Sequence, residues 1–164
     1  MVTSSTRRPR GATSPGASRS AILVLHGPNL NLLGSVDPGR RGTETLAEVD
    51  ARLVDEAGRR GIRLSAFQSN HEGALVDRVH AARDEGVRFV IVNPGSLAPE
   101  NIALRDALVA TGIPYIQVDL PNPVAEDHAG ARSRLAVRAV GTIAGLGSRG
   151  YDFALAFALA RLQG

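Results

Sequence analysis

The chain has 164 residues, 43% of them hydrophobic, enough to bury one sizeable core without staples, and it contains no cysteine, which excludes disulfides and thiolate metal sites. Its formal net charge is +3, but Arg7, Arg8, Arg10 and Arg19 lie in the first twenty residues with no acid among them, and the remainder stands at −1. That balance, with 4% aromatics, lacks the basic, stacking face of a nucleic-acid binder; no apolar run is long enough to span a bilayer, and the absence of lysine excludes lysine Schiff-base chemistry.

Residues 1–20, MVTSSTRRPRGATSPGASRS, hold almost no bulky apolar residue and read as a disordered tail. They lack the apolar face of a transit peptide and the h-region of a secretion signal, so the expected location is the cytoplasm. From residue 21 onward, short apolar runs alternate with stretches of helical period. AILVLHG (21–27) reads as a strand, and TETLAEVDARLVDEAGRRG (43–61) as a helix with Leu46, Val49, Leu53, Val54 and Ala57 near one face and a glycine stop at Gly58 or Gly61. IRLSAFQS (62–69) is a second strand, and HEGALVDRVHAARDEG (71–86) a second helix carrying Leu75, Val76, Val79 and Ala82 inward. RFVIVNPG (88–95), ENIALRDALVATG (100–112) and IPYIQVDLP (113–121) continue as strand, helix, strand. ARSRLAVRAVGTIAGLG (131–147) reads as helical, and YDFALAFALARL (151–162) as a helix apolar nearly all round, for burial in the core or against a partner subunit.

Strands joined through helices imply parallel pairing, because a parallel pair needs a crossover. The expected fold class is α/β: a single flavodoxin-like doubly wound parallel sheet over residues 21–164, with helices on both faces. Ligands in such folds bind beyond the carboxyl ends of the strands, which directs attention to the loops starting at His26, Gln68, Asn93 and Asp119.

Four strand-end segments, LHGPNLNLLG (25–34), FQSNHEG (67–73), NPGSLAPENIALRDAL (93–108) and AGLGSRGYDFAL (144–155), in this order and spacing, resemble the type II 3-dehydroquinate dehydratases over essentially the whole chain after residue 20. The resemblance implies removal of water from a cyclic β-hydroxyketone without metal or organic cofactor. A loop tyrosine acts as base, an asparagine stabilises the enolate through water, and a histidine is the proton donor. Asn29 matches the asparagine. Arg41 stands where the tyrosine belongs, and an arginine does not deprotonate in a protein. Val36 replaces the arginine that tunes that tyrosine. In QVDLPN, Gln117 replaces the family glutamate and Asp119 the catalytic histidine. Leu120 and Pro121 take the place of the aliphatic-Ser pair whose backbone N–H groups hold a substrate carboxylate, and Pro121 has no N–H to give. Pro99 replaces a substrate-contacting histidine, and Glu126 and Gly130 replace two arginines. Asn93, a contact to substrate hydroxyls in the family, and Asp106, which reaches a neighbouring subunit there, are retained.

The candidate catalytic residues are Asn29, Asp119 and Arg41, and the candidate substrate contacts are Asn93, Leu120, Pro99 and Asp106. Each has a plainer reading. Asp119 is a general acid or base if burial raises its pKa, or else a turn carboxylate capped by backbone N–H groups. Asn29 lines the pocket or ties its loop to neighbours. Arg41 reads first as a solvated surface charge and second as an anion contact. His71 reads as a fastener of the helix start, and the 126–128 EDH triplet has poor geometry for a metal, so neither metal nor cofactor is expected. The glycines of GLGSRG look like a phosphate loop, but on this reading they follow a helix instead of a strand.

Three functions follow. The first is a diverged cofactor-independent lyase, a dehydratase or cyclase, on a less charged small molecule than 3-dehydroquinate, as in specialised metabolism. The second is 3-dehydroquinate dehydration with a base recruited from Tyr151, His128 or a neighbouring chain. The third is a non-catalytic binding homologue. The resemblance implies a homo-oligomer of trimers arranged as a dodecamer.

Overall fold

In a computed structural model, residues 21–36, 42–97, 102–122 and 133–164 are described. The tail, Arg41, Pro99 and the segment with Glu126, His128 and Gly130 lie outside them.

Five strands form one parallel sheet in the order β2-β1-β3-β4-β5. They are β1 Ile22–His26, β2 Leu64–Gln68, β3 Phe89–Asn93, β4 Tyr115–Asp119 and β5 Gly141–Ala144. Every residue of β1 and of β3 is buried, as an interior parallel strand covered on both faces requires. Side chains alternate between the faces. Ile22, Val24, Phe89, Ile91, Ile116 and Val118 pack under α1 (Leu46–Arg59) and α4 (Arg149–Gln163). Leu23, Leu25, Val90, Val92 and Tyr115 pack under α2 (Glu72–Asp84) and α3 (Ile102–Thr111).

Helix α1 begins at a capping box. The Glu48 N–H donates to Thr45 Oγ1 at 3.3 Å, and the Thr45 N–H donates to Glu48 Oε2 at 2.8 Å, which satisfies two end donors reciprocally. Of its expected inner face, Val49, Leu53 and Ala57 are buried, whereas Val54 is exposed on the far side. Helix α4 is two-faced as well. Tyr151, Ala154, Leu155, Ala158 and Leu159 are buried, while Phe153 and Phe157 face outward.

The expected helix over 131–147 is corrected. Within its described part, residues 133–140 form turns and Gly141–Ala144 is the edge strand β5, parallel to β4. The β-branched Thr142 and Ile143, bounded by Gly141 and Gly145, suit a strand, and the open edge of β4 supplies the partner that periodicity cannot see. Tyr115 pins the turns to the sheet: its hydroxyl donates to the Leu135 carbonyl at 2.7 Å, and its carbonyl accepts from the Val140 N–H at 2.8 Å. Burial pushes the Tyr115 hydroxyl up to about 12, so it stays a donor at any ordinary pH.

Candidate active site

The strands end at His26, Gln68, Asn93 and Asp119, where the loops were expected to begin. Register places Gln68, His26 and Asn93 side by side across β2, β1 and β3, at the point where the strand order reverses. The loops after β1 and β3 are pressed together there. The Gly27 N–H donates to the Asn93 carbonyl at 2.8 Å, and a Cβ on Gly27 would lie 2.1 Å from the Pro94 carbonyl oxygen. Gly95, at φ 57, has Pro28 O only 2.6 Å from where its Cβ would be. Both positions therefore require glycine.

Asn29 is exposed and left-handed at φ 66, and its N–H donates to Asn70 Oδ1 at 3.0 Å. Gln68 Nε2 donates to the same oxygen at 3.0 Å and to the Gly27 carbonyl at 3.3 Å, so the loop after β2 braces the loop after β1. The backbone of Asn29 thus ties the loops together, and its side chain is exposed. His71 occupies the N-cap of α2, but its ring makes no cap bond; its own N–H donates to Ser69 Oγ at 3.0 Å.

Asn93 is buried at the end of β3. Its Oδ1 accepts from the Gly95 N–H at 3.0 Å, while its amide nitrogen is buried without a hydrogen bond of good geometry. Beside it runs a chain that sequence reasoning missed. Tyr151 Oη lies 2.8 Å from His26 Nδ1, and His26 Nε2 lies 2.9 Å from Asp50 Oδ1, with His26 and Tyr151 both wholly buried. Asp50 is an acceptor, so Nε2 carries the proton and Nδ1 accepts from the tyrosine. Burial, reinforced by the charges of Asp50 and Asp119 and only partly opposed by the Asn93 amide, drives the Tyr151 hydroxyl far above its usual range. Tyr151 is therefore no base at neutral pH. The available signals were a histidine closing an apolar strand and an aspartate on the row Leu46, Asp50, Leu53, Ala57 of an otherwise apolar helix face.

Asp119 and Gln117 point to the opposite face from His26 and Asn93. Gln117, buried, donates from Nε2 to Asp119 Oδ2 at 2.7 Å, and its Oε1 accepts from Ser133 Oγ at 2.7 Å. Desolvation raises the Asp119 carboxyl above the ordinary value of 3.8, and the Gln117 hydrogen bond works against the rise.

The Leu120 side chain lies in the core with Tyr151, so only its backbone can face a ligand. Asp106 is on the outer side of α3, paired with Arg105 at 2.6 Å and lining a surface groove of about 380 Å³ with Arg134, Val137 and Arg138. Within one chain it is no part of the crevice.

The GLGSRG loop does follow a strand, β5, contrary to the sequence reading. Its two leading glycine N–H groups are nonetheless committed: Gly145 donates to the Asp119 and Pro121 carbonyls at 3.2 and 3.1 Å, and Gly147 to the Leu120 carbonyl at 3.0 Å. They fasten the loops after β4 and β5 instead of cradling a phosphate. Among the described residues no three His, Asp or Glu side chains gather as a metal site, and no helix is long and apolar enough to cross a membrane.

A family model described as dehydroquinase class II matches residues 20–159. The 3-dehydroquinate dehydratase of Ralstonia pickettii is 54% identical over 138 residues, 84% of this chain and 89% of the relative. The protein of that name from Alkalilimnicola ehrlichii is 49% identical over 143 residues, 87% of this chain and 94% of the relative. The crystal structure of the type II dehydroquinase from Propionibacterium acnes superposes with a TM-score of 0.80 at 34% identity, covering 88% of this chain and 99% of that one.

Proposed function

The chain belongs to the class II dehydroquinase family, and from that premise we propose that it is a cofactor-independent lyase acting on a small hydroxyketone less anionic than 3-dehydroquinate. The observation that carries this reading is Asp119, a partly buried carboxyl raised by desolvation and held by Gln117 at the end of β4. A carboxyl moved toward neutrality is suited to proton transfer, and it stands where the resemblance places a proton-donating histidine. Asn29 and Asn93 supply uncharged donors for an enolate oxygen and for hydroxyls. Arg41 can contact an anion but cannot take a proton from carbon. Pro121 lacks the backbone N–H that would hold a substrate carboxylate, and Glu126 and Gly130 stand in place of two arginines, which is why a less charged substrate fits.

A second reading, dehydration of 3-dehydroquinate itself through the rearranged site, is favoured by the names of the relatives at 54% and 49% identity. Assembly as a trimer-based dodecamer belongs to the same proposal. Its support is that Asp106, Phe153 and Phe157 stand exposed on α3 and α4. A cytoplasmic location rests on the composition alone.

The test is turnover of 3-dehydroquinate by the purified full chain, followed through the absorbance of the conjugated product, beside Asp119→Asn, Asn29→Ala and a panel of neutral cyclic β-hydroxyketones. The expected result is elimination from a neutral member, lost in Asp119→Asn, and none from 3-dehydroquinate. Turnover of 3-dehydroquinate lost in both variants would establish the second reading; ligands bound and recovered unchanged throughout would overturn catalysis altogether.

A further inference from the structure

Serine 133, glutamine 117 and aspartate 119 form a continuous hydrogen-bond chain with both links at 2.7 Å, and its direction is dictated by chemistry. An ionised carboxylate only accepts, so the Gln117 amide must turn Nε2 toward Asp119; Oε1 then faces Ser133, whose hydroxyl donates to it. A glutamate at 117 would set two carboxyl groups at hydrogen-bond distance, where one must keep a proton. The resemblance pairs a glutamate, an acceptor, with a histidine that gives a proton. Here both members differ, and the polarity between them is reversed: the strand residue donates and the strand-end residue accepts.

We propose that Gln117 and Ser133 are positioning residues that hold Asp119 as the proton acceptor of the site, so that one carboxylate takes the substrate's proton and later returns it. This rests on Asp119 facing substrate, as in the function proposed above. Gln117 occupies Oδ2, and among the described residues no side chain is bonded to Oδ1, the oxygen that would face the substrate. The C–H bond beside the ketone breaks, its proton goes to Oδ1, and its electron pair forms the enolate. The enolate then collapses: its oxygen re-forms the C=O, its C=C pair becomes a double bond between the α and β carbons, the C–O bond to the β-hydroxyl breaks, and the departing oxygen takes the proton from Asp119 and leaves as water. Nothing else is consumed, and the tyrosine base replaced by Arg41 is not needed. The chain serves both states of the carboxyl. When Asp119 is protonated, a half-turn of the Gln117 amide presents Oε1 to the new O–H, and Ser133, able to donate or accept, pairs with the nitrogen.

Position supports this use. Gln117 is 1% exposed within β4, and Ser133 heads the turns that Tyr115 pins to the sheet. Among the described residues, Tyr151 on α4 feels the Asp119 charge and is neutral through burial, while on Asp119's own face of the sheet Arg105 of α3 and Arg138 of the turns bear on the neighbouring Tyr115. Among the described residues the Gln117 amide is the side chain bonded to the Asp119 carboxyl, and that bond favours the anion.

The experiment is a carboxyl-carbon NMR titration of the ligand-free full chain, with Asp119 assigned by its absence in Asp119→Asn. In the parent protein Asp119 is expected to be ionised at pH 7. Gln117→Leu is expected to move its midpoint upward, and Ser133→Ala to move it the same way by less, with thermal melting showing that each variant is folded. Should Gln117→Leu not fold, Ser133→Ala decides. A parent Asp119 still protonated at pH 7, or a midpoint unmoved or lowered in the folded variants, would overturn the inference. These readings need no substrate, so loss of the lyase proposal with the expected titration intact would strike that proposal alone.

Discussion

Replacing Tyr151 by phenylalanine isolates the buried chain behind Asn93. The substitution removes one oxygen and leaves the ring, so it opens almost no cavity. What it removes is the 2.8 Å partner of His26 Nδ1, a ring nitrogen with no access to water. Leaving a buried acceptor unpaired costs about 1–3 kcal/mol, and a central figure of about 2 kcal/mol lowers the folded-to-unfolded ratio roughly thirty-fold. The assay is urea denaturation of parent and Tyr151→Phe, read as a lower midpoint at unchanged slope. Because His26 also holds Asp50 at 2.9 Å, Tyr151→Phe and Asp50→Ala should combine non-additively, as changes to one shared network do. A loss below about 0.5 kcal/mol, or strict additivity with Asp50→Ala, would refute the account of a connected chain.

Gly27→Ala is expected to cost about 3 kcal/mol or more, because the new methyl would sit 2.1 Å from the Pro94 carbonyl oxygen and would push the loops after β1 and β3 apart; thermal melting measures it, and a near-neutral result would mean that the loops do not meet as described. Asp119→Asn tests the raised carboxyl through stability. Between the unfolded value near 3.8 and the higher folded value the native state binds more protons, so stability falls as pH rises through that window, and the ionised side chain remains a burden above it. The variant should therefore melt above the parent at pH 7, with the advantage closing below about pH 4; a variant less stable at pH 7 would contradict a desolvated Asp119.

The ends of β1 to β4 were legible because His26, Gln68, Asn93 and Asp119 each close an apolar run before a turn signal, and local pattern alone reports such boundaries. Strand β5 was not legible. Its four residues gain strand character from the unpaired edge of β4, whereas the neighbouring Leu135, Val137 and Val140 mimic helical spacing. Asn29 and Asn93 reached the candidate site through motif and strand end together. The pairing of Asp119 with Gln117 two residues earlier was within reach of the period-2 alternation of a strand, but Ser133 was not.

Periodicity is written along the chain, and with it the alternation of helix and strand, the parallel sheet and the loops where chemistry is placed. The tertiary structure alone decided which polar side chains meet. Tyr151 reaches His26 across 125 positions of chain, and Ser133 reaches Gln117 across 16. The energy of those pairings comes from water being excluded around both partners at once, a property of the packed layers and of no segment taken singly.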